Sequence, residues 1–187
     1  VYYLSLSMVK TLNLILMSQL QKLRDKIKSV DDLLEELATL RSAGNSVAFT
    51  NGCFDILHKG HVEYLSQSAD QADLLVVGLN TDESVRRQEK GDDRPVNPYE
   101  ARATVLAGLG FVAFVVSFNE DTPLNLIKQI RPDVLLKGAD YDPDVVDPLS
   151  KKYIVGSQEV RAFGGEVKVI PLVEGFSTTS IINKMKS

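Results

Sequence analysis

Val47-Ala48-Phe49-Thr50-Asn51-Gly52-Cys53-Phe54-Asp55-Ile56-Leu57-His58-Lys59-Gly60-His61 is the stretch that decides how this chain is read. Val47 to Thr50 reads as a buried strand, being apolar and β-branched in composition. After it, Val62 to Gln71 reads as a helix, with Val62, Leu65 and Ala69 at apolar spacing. The loop between them carries glycine and both histidines of the chain. In α/β proteins such a strand-to-helix loop is where phosphate is held, because the free N–H groups at a helix start carry roughly half a positive charge.

Strand and helix patterns alternate outward from that point. Upstream, Ser29 with Asp31 and Asp32 reads as the start of a helix whose stripe is Leu33, Leu34, Leu37 and Leu40, closed by Gly44-Asn45. Downstream come a strand from Asp73 to Gly78, a polar stretch from Thr81 to Asn97 and a helix from Pro98 to Gly108, with proline suited to its first turn. There follow a strand at Val112–Ser117, a helix at Thr122–Ile130 and a strand at Val134–Lys137. A loop with Tyr141, Pro143 and Pro148 leads to a helix near Ile154–Phe163, a strand at Val167–Ile170 and a last helix from Ser177. Leu74 to Val77 is apolar throughout, as expected of a strand covered on both faces. The expectation is a single doubly wound, Rossmann-like α/β domain with a parallel five-stranded sheet and helices on both faces. Residues 1–24 read as an N-terminal extension, 25–45 as a leading helix packed on the domain, and 46–187 as the domain itself. Ligands in such folds bind at the C-terminal ends of the strands, where strand order reverses.

Composition narrows the function classes. A net charge of −4 gives no electrostatic footprint for nucleic acid or for an anionic membrane. The absence of tryptophan argues against a stacking platform for single strands. One cysteine, Cys53, precludes an internal disulfide and fits a reducing, cytoplasmic compartment. Leu4 to Met17 is apolar, but Lys10 interrupts it and no basic segment precedes it, so it does not read as a secretory signal. It is also too short to span a bilayer. Met8 and Met17 offer alternative starts within the extension.

The chemistry is concentrated in His58-Lys59-Gly60-His61. Two imidazoles near the first turn of a helix suit a polyphosphate, each ring donating to a phosphate oxygen while Gly60 lets the backbone approach. Blander readings are a pair of surface histidines or a locally packed one. A zinc pair is a third, which only carboxylates could complete. Near the far end, Ser177 to Thr179 at a helix start can present hydroxyls and free N–H groups to phosphate, or can simply cap the helix.

Gly52-x-Phe54-Asp55-x-x-His58-x-Gly60-His61 resembles the signature of the HxGH nucleotidyltransferase superfamily. Gly175-Phe176-Ser177-Thr178-Thr179-Ser180-Ile181 is similar to the G-I-S-T-T-x-I motif of its cytidylyltransferase-like branch, with Phe176 in the Ile place. Five further stretches extend the likeness: Lys90 to Pro98, Val115 to Phe118, Glu120 to Pro123, Lys137 to Tyr141 and Gly164 to Val167. Together they resemble the adenylyltransferase domains of bacterial ADP-heptose synthases, over about Lys26 to Lys186. The resemblance implies transfer of AMP from ATP, accompanied by Mg²⁺, to D-glycero-β-D-manno-heptose 1-phosphate. It further implies a stand-alone form served by a separate heptose kinase, with a homodimer as one arrangement.

It also implies roles. His58, His61, Lys90 and Thr178 would stabilise the reacting phosphates. Thr50, Asn51, Gly52, Phe54, Gly60, Arg102, Lys137, Gly138, Asp140, Ser177 and Thr179 would line the nucleotide site. Lys90 has a plain alternative as part of a solvated charged loop, and Arg102 as a helix-surface salt bridge. Lys137 has one as a snorkelling lysine. Asp55 is expected to tie its loop by hydrogen bonds rather than to bind metal. Two other functions fit the two signatures: a cytidylyltransferase for a small phosphorylated alcohol such as glycerol 3-phosphate, and a nucleotide-binding protein without turnover.

Overall fold

The structure, a computed structural model, describes residues 18–88, 93–173 and 175–186. Six parallel strands form one sheet: β1 (Ile27–Lys28), β2 (Val47–Gly52), β3 (Leu74–Asn80), β4 (Phe114–Phe118), β5 (Val134–Gly138) and β6 (Glu166–Ile170), in the spatial order β1-β4-β3-β2-β5-β6. β2 lies between β3 and β5, pairing Val47 with Leu74 and Ala48 with Val134. The chain runs outward from β2 to β3 and β4, then crosses back to β5 and β6. Strand order therefore reverses at β2, and a crevice opens at its carboxyl end.

Helices cover both faces. On one, α3 (Lys59–Ala69) and α5 (Tyr99–Ala107) press Leu65, Ala103 and Leu106 onto Ala48, Leu75, Val77 and Val115. On the other, α2 (Val30–Ser42), α6 (Leu124–Ile130) and α7 (Ser157–Ala162) press Leu33, Leu37, Ile127, Ile130 and Val160 onto Val47, Phe49, Val76 and Leu135. This double cover is why β2 and β3 carry apolar residues without alternation. In α2 the Ser29 hydroxyl caps the helix by accepting the Asp32 N–H, and Gly44 at φ +92° turns the chain after its end. Leu33 and Leu37 of the expected stripe are fully buried. Truncating either to alanine removes about 2–5 kcal/mol.

Two corrections concern the edges of the fold. The sheet has six strands, not five, because Ile27–Lys28 pairs with Val115–Val116 at the edge. Two residues carry no alternation pattern, so the strand left no readable signal. The polar stretch after β3 also contains a short helix, α4 (Asp82–Arg87), whose Thr81 hydroxyl accepts the Ser84 N–H. It buries only Ser84 and Val85, too few residues to show a helical period. A further short helix, α1 (Gln19–Arg24), lies within the stretch read as an extension, and α8 (Thr178–Lys186) closes the described chain. Among the described residues no helix is long and apolar enough to cross a membrane.

Candidate active site

The two histidines are locked together at the start of α3. His58 is its N-cap: its Nδ1 accepts the backbone N–H of His61 at 3.3 Å. An acceptor nitrogen carries no proton, so the neutral ring of His58 holds its hydrogen on Nε2. The rings stack at 3.8 Å with 17° between their planes. Burial pushes the His61 imidazole down to about 4, the neighbouring His58 charge adds to this, and the Ile56 carbonyl opposes it. Desolvation lowers His58 as well. Both shifts favour the neutral imidazoles in the free protein, and a neutral ring still offers an N–H donor to a ligand.

The loop carrying this pair is braced from behind. The buried Asp55 carboxylate accepts the Arg94 Nε–H and the backbone N–H groups of Val96 and Asn97, and its own carbonyl accepts from Asn97 Nδ2. Arg102, also buried, donates to the carbonyls of Cys53 (2.7 Å) and Asn97 (3.0 Å) and to the Asp82 carboxylate (2.7 Å). Between these two braces Phe54 sits at φ +41°, a left-handed conformation unfavourable for a bulky side chain and held by its surroundings. Its ring edge meets the His61 ring at 5.2 Å. Gly52 makes room for the Phe54 ring, since a Cβ there would lie 3.0 Å from it.

The braced loop forms the floor of a cleft of about 690 Å³ at the carboxyl edge of the sheet. His58, His61, Gly60, Asn51, Gly52 and Phe54 line the floor, and Lys137, Gly138 and Asp140 enter from β5 and the loop after it. Ser177 and Thr178 enter from the start of α8. The imidazole pair and the C-terminal hydroxyl segment thus share one cleft, onto which the amino ends of α3 and α8 open. Ser177 Oγ accepts the Ser180 N–H, so its side chain is spent on capping, whereas Thr178 opens its helix. The Lys137 ammonium lies 5.3 Å from the Tyr141 ring centroid. Among the described residues, three buried side-chain atoms lack a hydrogen-bond partner, and two of them, Asn51 Oδ1 and His61 Nδ1, belong to cleft-lining residues. Orphaned buried polar atoms are rare in stable folds.

Three expected lining residues stand elsewhere. Thr50 is fully buried beneath the floor, sharing a 2.7 Å hydrogen bond with the Tyr64 hydroxyl. Arg102 is neither a lining residue nor a surface salt bridge; its guanidinium is committed behind the loop. Thr179 is exposed, outside the lining. Lys90 lies outside the described residues. Among the described residues no group of three or more His, Cys, Asp and Glu side chains stands together to hold a metal.

Several lining residues carried no assigned role in the sequence reading. Tyr64 and Tyr141 flank Asp140, and burial pushes the Tyr64 hydroxyl up to about 12 and also raises Tyr141. Leu172, Val173, Val155 and Phe176 give this side an apolar wall. The opposite side is polar, with Asn80, Gln88, Asp121 and Thr122. Cys53 lies between, its Sγ 3.3 Å from Gln88 Oε1. Tyr64 falls outside the apolar spacing of Val62, Leu65 and Ala69, Asn80 ends β3, and most of the others sit in loops that carry no period.

Residues 49–184 match the family model described as cytidylyltransferase-like, and the chain belongs to that nucleotidyltransferase family. It is 51% identical over 161 residues to the protein named Bifunctional protein HldE of Ectopseudomonas mendocina, a match covering 86% of this chain and 32% of that one. It is 53% identical over 161 residues to the Bifunctional protein HldE of Campylobacter concisus, covering 86% and 31%. The chain thus spans about a third of the length of these curated relatives. The fold also resembles the crystal structure of the lipopolysaccharide core biosynthesis protein from Thermoplasma volcanium. That likeness has a TM-score of 0.54 at 24% identity and covers 70% of this chain and 98% of that one.

Proposed function

We propose that this protein transfers AMP from ATP to D-glycero-β-D-manno-heptose 1-phosphate, releasing pyrophosphate and forming ADP-heptose. The observation that carries the reading is the stacked histidine pair lining the same cleft as Thr178 and Lys137. In the reaction an oxygen of the sugar phosphate attacks the α-phosphorus of ATP. A new P–O bond forms as the bond to the bridging oxygen breaks, and its electrons leave with pyrophosphate. The attacking group is already ionised, so no general base is required, and acceleration comes from positioning and charge stabilisation.

In this reading His58 Nε2–H and the His61 ring donate to phosphate oxygens, and the amino ends of α3 and α8 add backbone donors. Lys137 and Lys90 supply positive charge. Mg²⁺ arriving with ATP would be held by phosphate oxygens and water and would neutralise charge there, which suits a cleft with few carboxylates. The apolar side with Tyr141, Leu172 and Val173 takes the nucleoside beside Gly138 and Asp140. The polar side with Asn80, Gln88 and Thr122 takes the acceptor hydroxyls. A phosphoryl transfer to the anomeric hydroxyl of a heptose must precede this step.

The bracing of the floor by Asp55 and Arg102 supports a rigid catalytic loop over a merely sticky one, and the motif matches from Lys90 to Tyr141 favour the heptose acceptor. The test is pyrophosphate release with ATP or CTP against heptose 1-phosphate or glycerol 3-phosphate. Turnover is expected with ATP and heptose 1-phosphate. Turnover only with CTP and glycerol 3-phosphate would replace this reading with the cytidylyltransferase one. ATP binding without turnover on any acceptor would point to a nucleotide-binding protein.

A further inference from the structure

Four aromatic rings stand in one row along the cleft floor. The Phe54 edge meets His61 at 5.2 Å, His61 stacks on His58 at 3.8 Å, and His58 faces Phe176 at 6.4 Å with 29° between planes. The Lys59 ammonium lies 5.5 Å from the Phe176 ring centroid. The inner end of the row belongs to the loop after β2, and the outer end to the segment leading into α8. Phe54 lies between residues that the Asp55 and Arg102 hydrogen bonds brace, which anchors the inner end of the row.

The outer end is placed by an absence. A Cβ on Gly60 would lie 3.2 Å from the His58 ring and 3.2 Å from Phe176 Cβ, so any larger residue would push Phe176 or His58 back by a few tenths of an ångström. Phe176 remains 44% exposed, so burial of apolar surface alone does not account for its position. It also stands where the resembling motif carries isoleucine, a side chain with no ring to stack.

We propose that Phe176 is a positioning residue for the histidine pair: its ring closes the row and holds the His58 imidazole in the orientation that keeps Nδ1 on the His61 N–H and delivers Nε2–H into the cleft. Being one residue from Ser177, it also ties the hydroxyl segment to the imidazoles. Offset ring pairs shift equilibria by about 3- to 10-fold, which sets the size of the effect. The inference rests on the adenylyl-transfer reading for its kinetic arm alone.

The test compares Phe176→Leu, which keeps an apolar side chain without a ring, with Phe176→Tyr, which keeps the ring. Imidazole ¹⁵N spectra are recorded without any substrate; the chain holds only two histidines, so His61→Gln assigns both. The wild type should show His58 protonated on Nε2 alone. Phe176→Leu should show mixed tautomers and lose about 3- to 10-fold in kcat with a smaller change in the KM for ATP. Phe176→Tyr should restore both. A wild-type imidazole spectrum in Phe176→Leu would overturn the proposal whatever happens to kcat, because Phe176 would then act on substrate directly or not at all. So would a Tyr variant as impaired as the Leu one. If the wild type shows no turnover with ATP and heptose 1-phosphate, the proposed function fails, while the spectra still decide the role of Phe176.

Discussion

His58 Nδ1 accepts the backbone N–H of His61 at 3.3 Å, so one catalytic candidate is also the cap of the helix that carries the other. The two roles use different nitrogens and can be separated. His58→Ala should lose both the cap, costing about 1 kcal/mol, and the Nε2–H donor. His58→Asn should keep the cap, since asparagine ranks among the best N-cap residues, yet its shorter amide does not reach the position of Nε2–H. Chemical denaturation of the Asn variant is expected to match wild type while its kcat falls about 10²–10³-fold, the usual loss for one transition-state donor. Equal activity in the Asn variant would mean that His58 serves the helix alone.

Acid should destabilise the free protein through His61. Its folded pKa of about 4 lies below the ordinary value of 6.5, so the unfolded chain binds more protons between those limits. Stability from this group is therefore complete above about pH 6.5 and is lost as pH falls toward 4. The loss reaches at most about 3 kcal/mol. Denaturation midpoints measured from pH 7 to pH 4.5 should fall in wild type and fall less in His61→Gln. A bound polyphosphate favours the protonated ring, so saturating ATP should raise the His61 titration followed by NMR.

The brace under the loop should be costly to break. Asp55→Asn keeps the shape but replaces one acceptor oxygen with a donor, so either Arg94 and Val96 on Oδ2 or Asn97 on Oδ1 loses its acceptor. Removing one partner of a buried ion pair costs about 3–5 kcal/mol, and denaturation of the Asn variant should approach that range. Arg102→Lys should behave similarly, because one ammonium cannot serve the Cys53 and Asn97 carbonyls and Asp82 with a guanidinium's fixed fork. Wild-type stability in both variants would show that the brace is incidental.

Gly138→Ala should act on binding rather than on folding. Its Cβ would lie 2.7 Å from Asp140 Oδ1 and 2.8 Å from Leu172 Cδ2, both ends of side chains that can move. Leu172 is half exposed, so the fold should tolerate the change. Displacing Asp140 and Leu172 from the cleft wall should raise the KM for ATP several-fold with kcat nearly kept. An unchanged KM would remove this wall from the nucleotide side.

What the sequence made legible follows from how each residue is constrained. The strands from β2 to β5 announced themselves because double cover demands uninterrupted apolar runs such as Leu74 to Val77. The placement of the histidine loop at the carboxyl edge followed from strand–helix alternation. Asp55 was readable as a loop tie because a short carboxylate beside glycine and a turn has backbone donors within reach. Arg102 and Thr50 were misplaced for a related reason: both belong to motif stretches near the site, but a motif does not say whether a side chain faces the cleft or the wall behind it. β1 was too short to show a period. The Thr81 cap of α4 was present in the sequence, yet its polar residues disguised the helix. The partnership of Phe176 with His58 joins segments far apart in the chain and had no local signature.

The most direct measurement is the turnover of His61→Ala at saturating ATP and heptose 1-phosphate, alongside its affinity for ATP. If neutral imidazoles stabilise the charge that develops as pyrophosphate departs, kcat should fall about 10²–10³-fold while ATP affinity changes far less. Full turnover in that variant, or a loss confined to ATP affinity, would contradict the account.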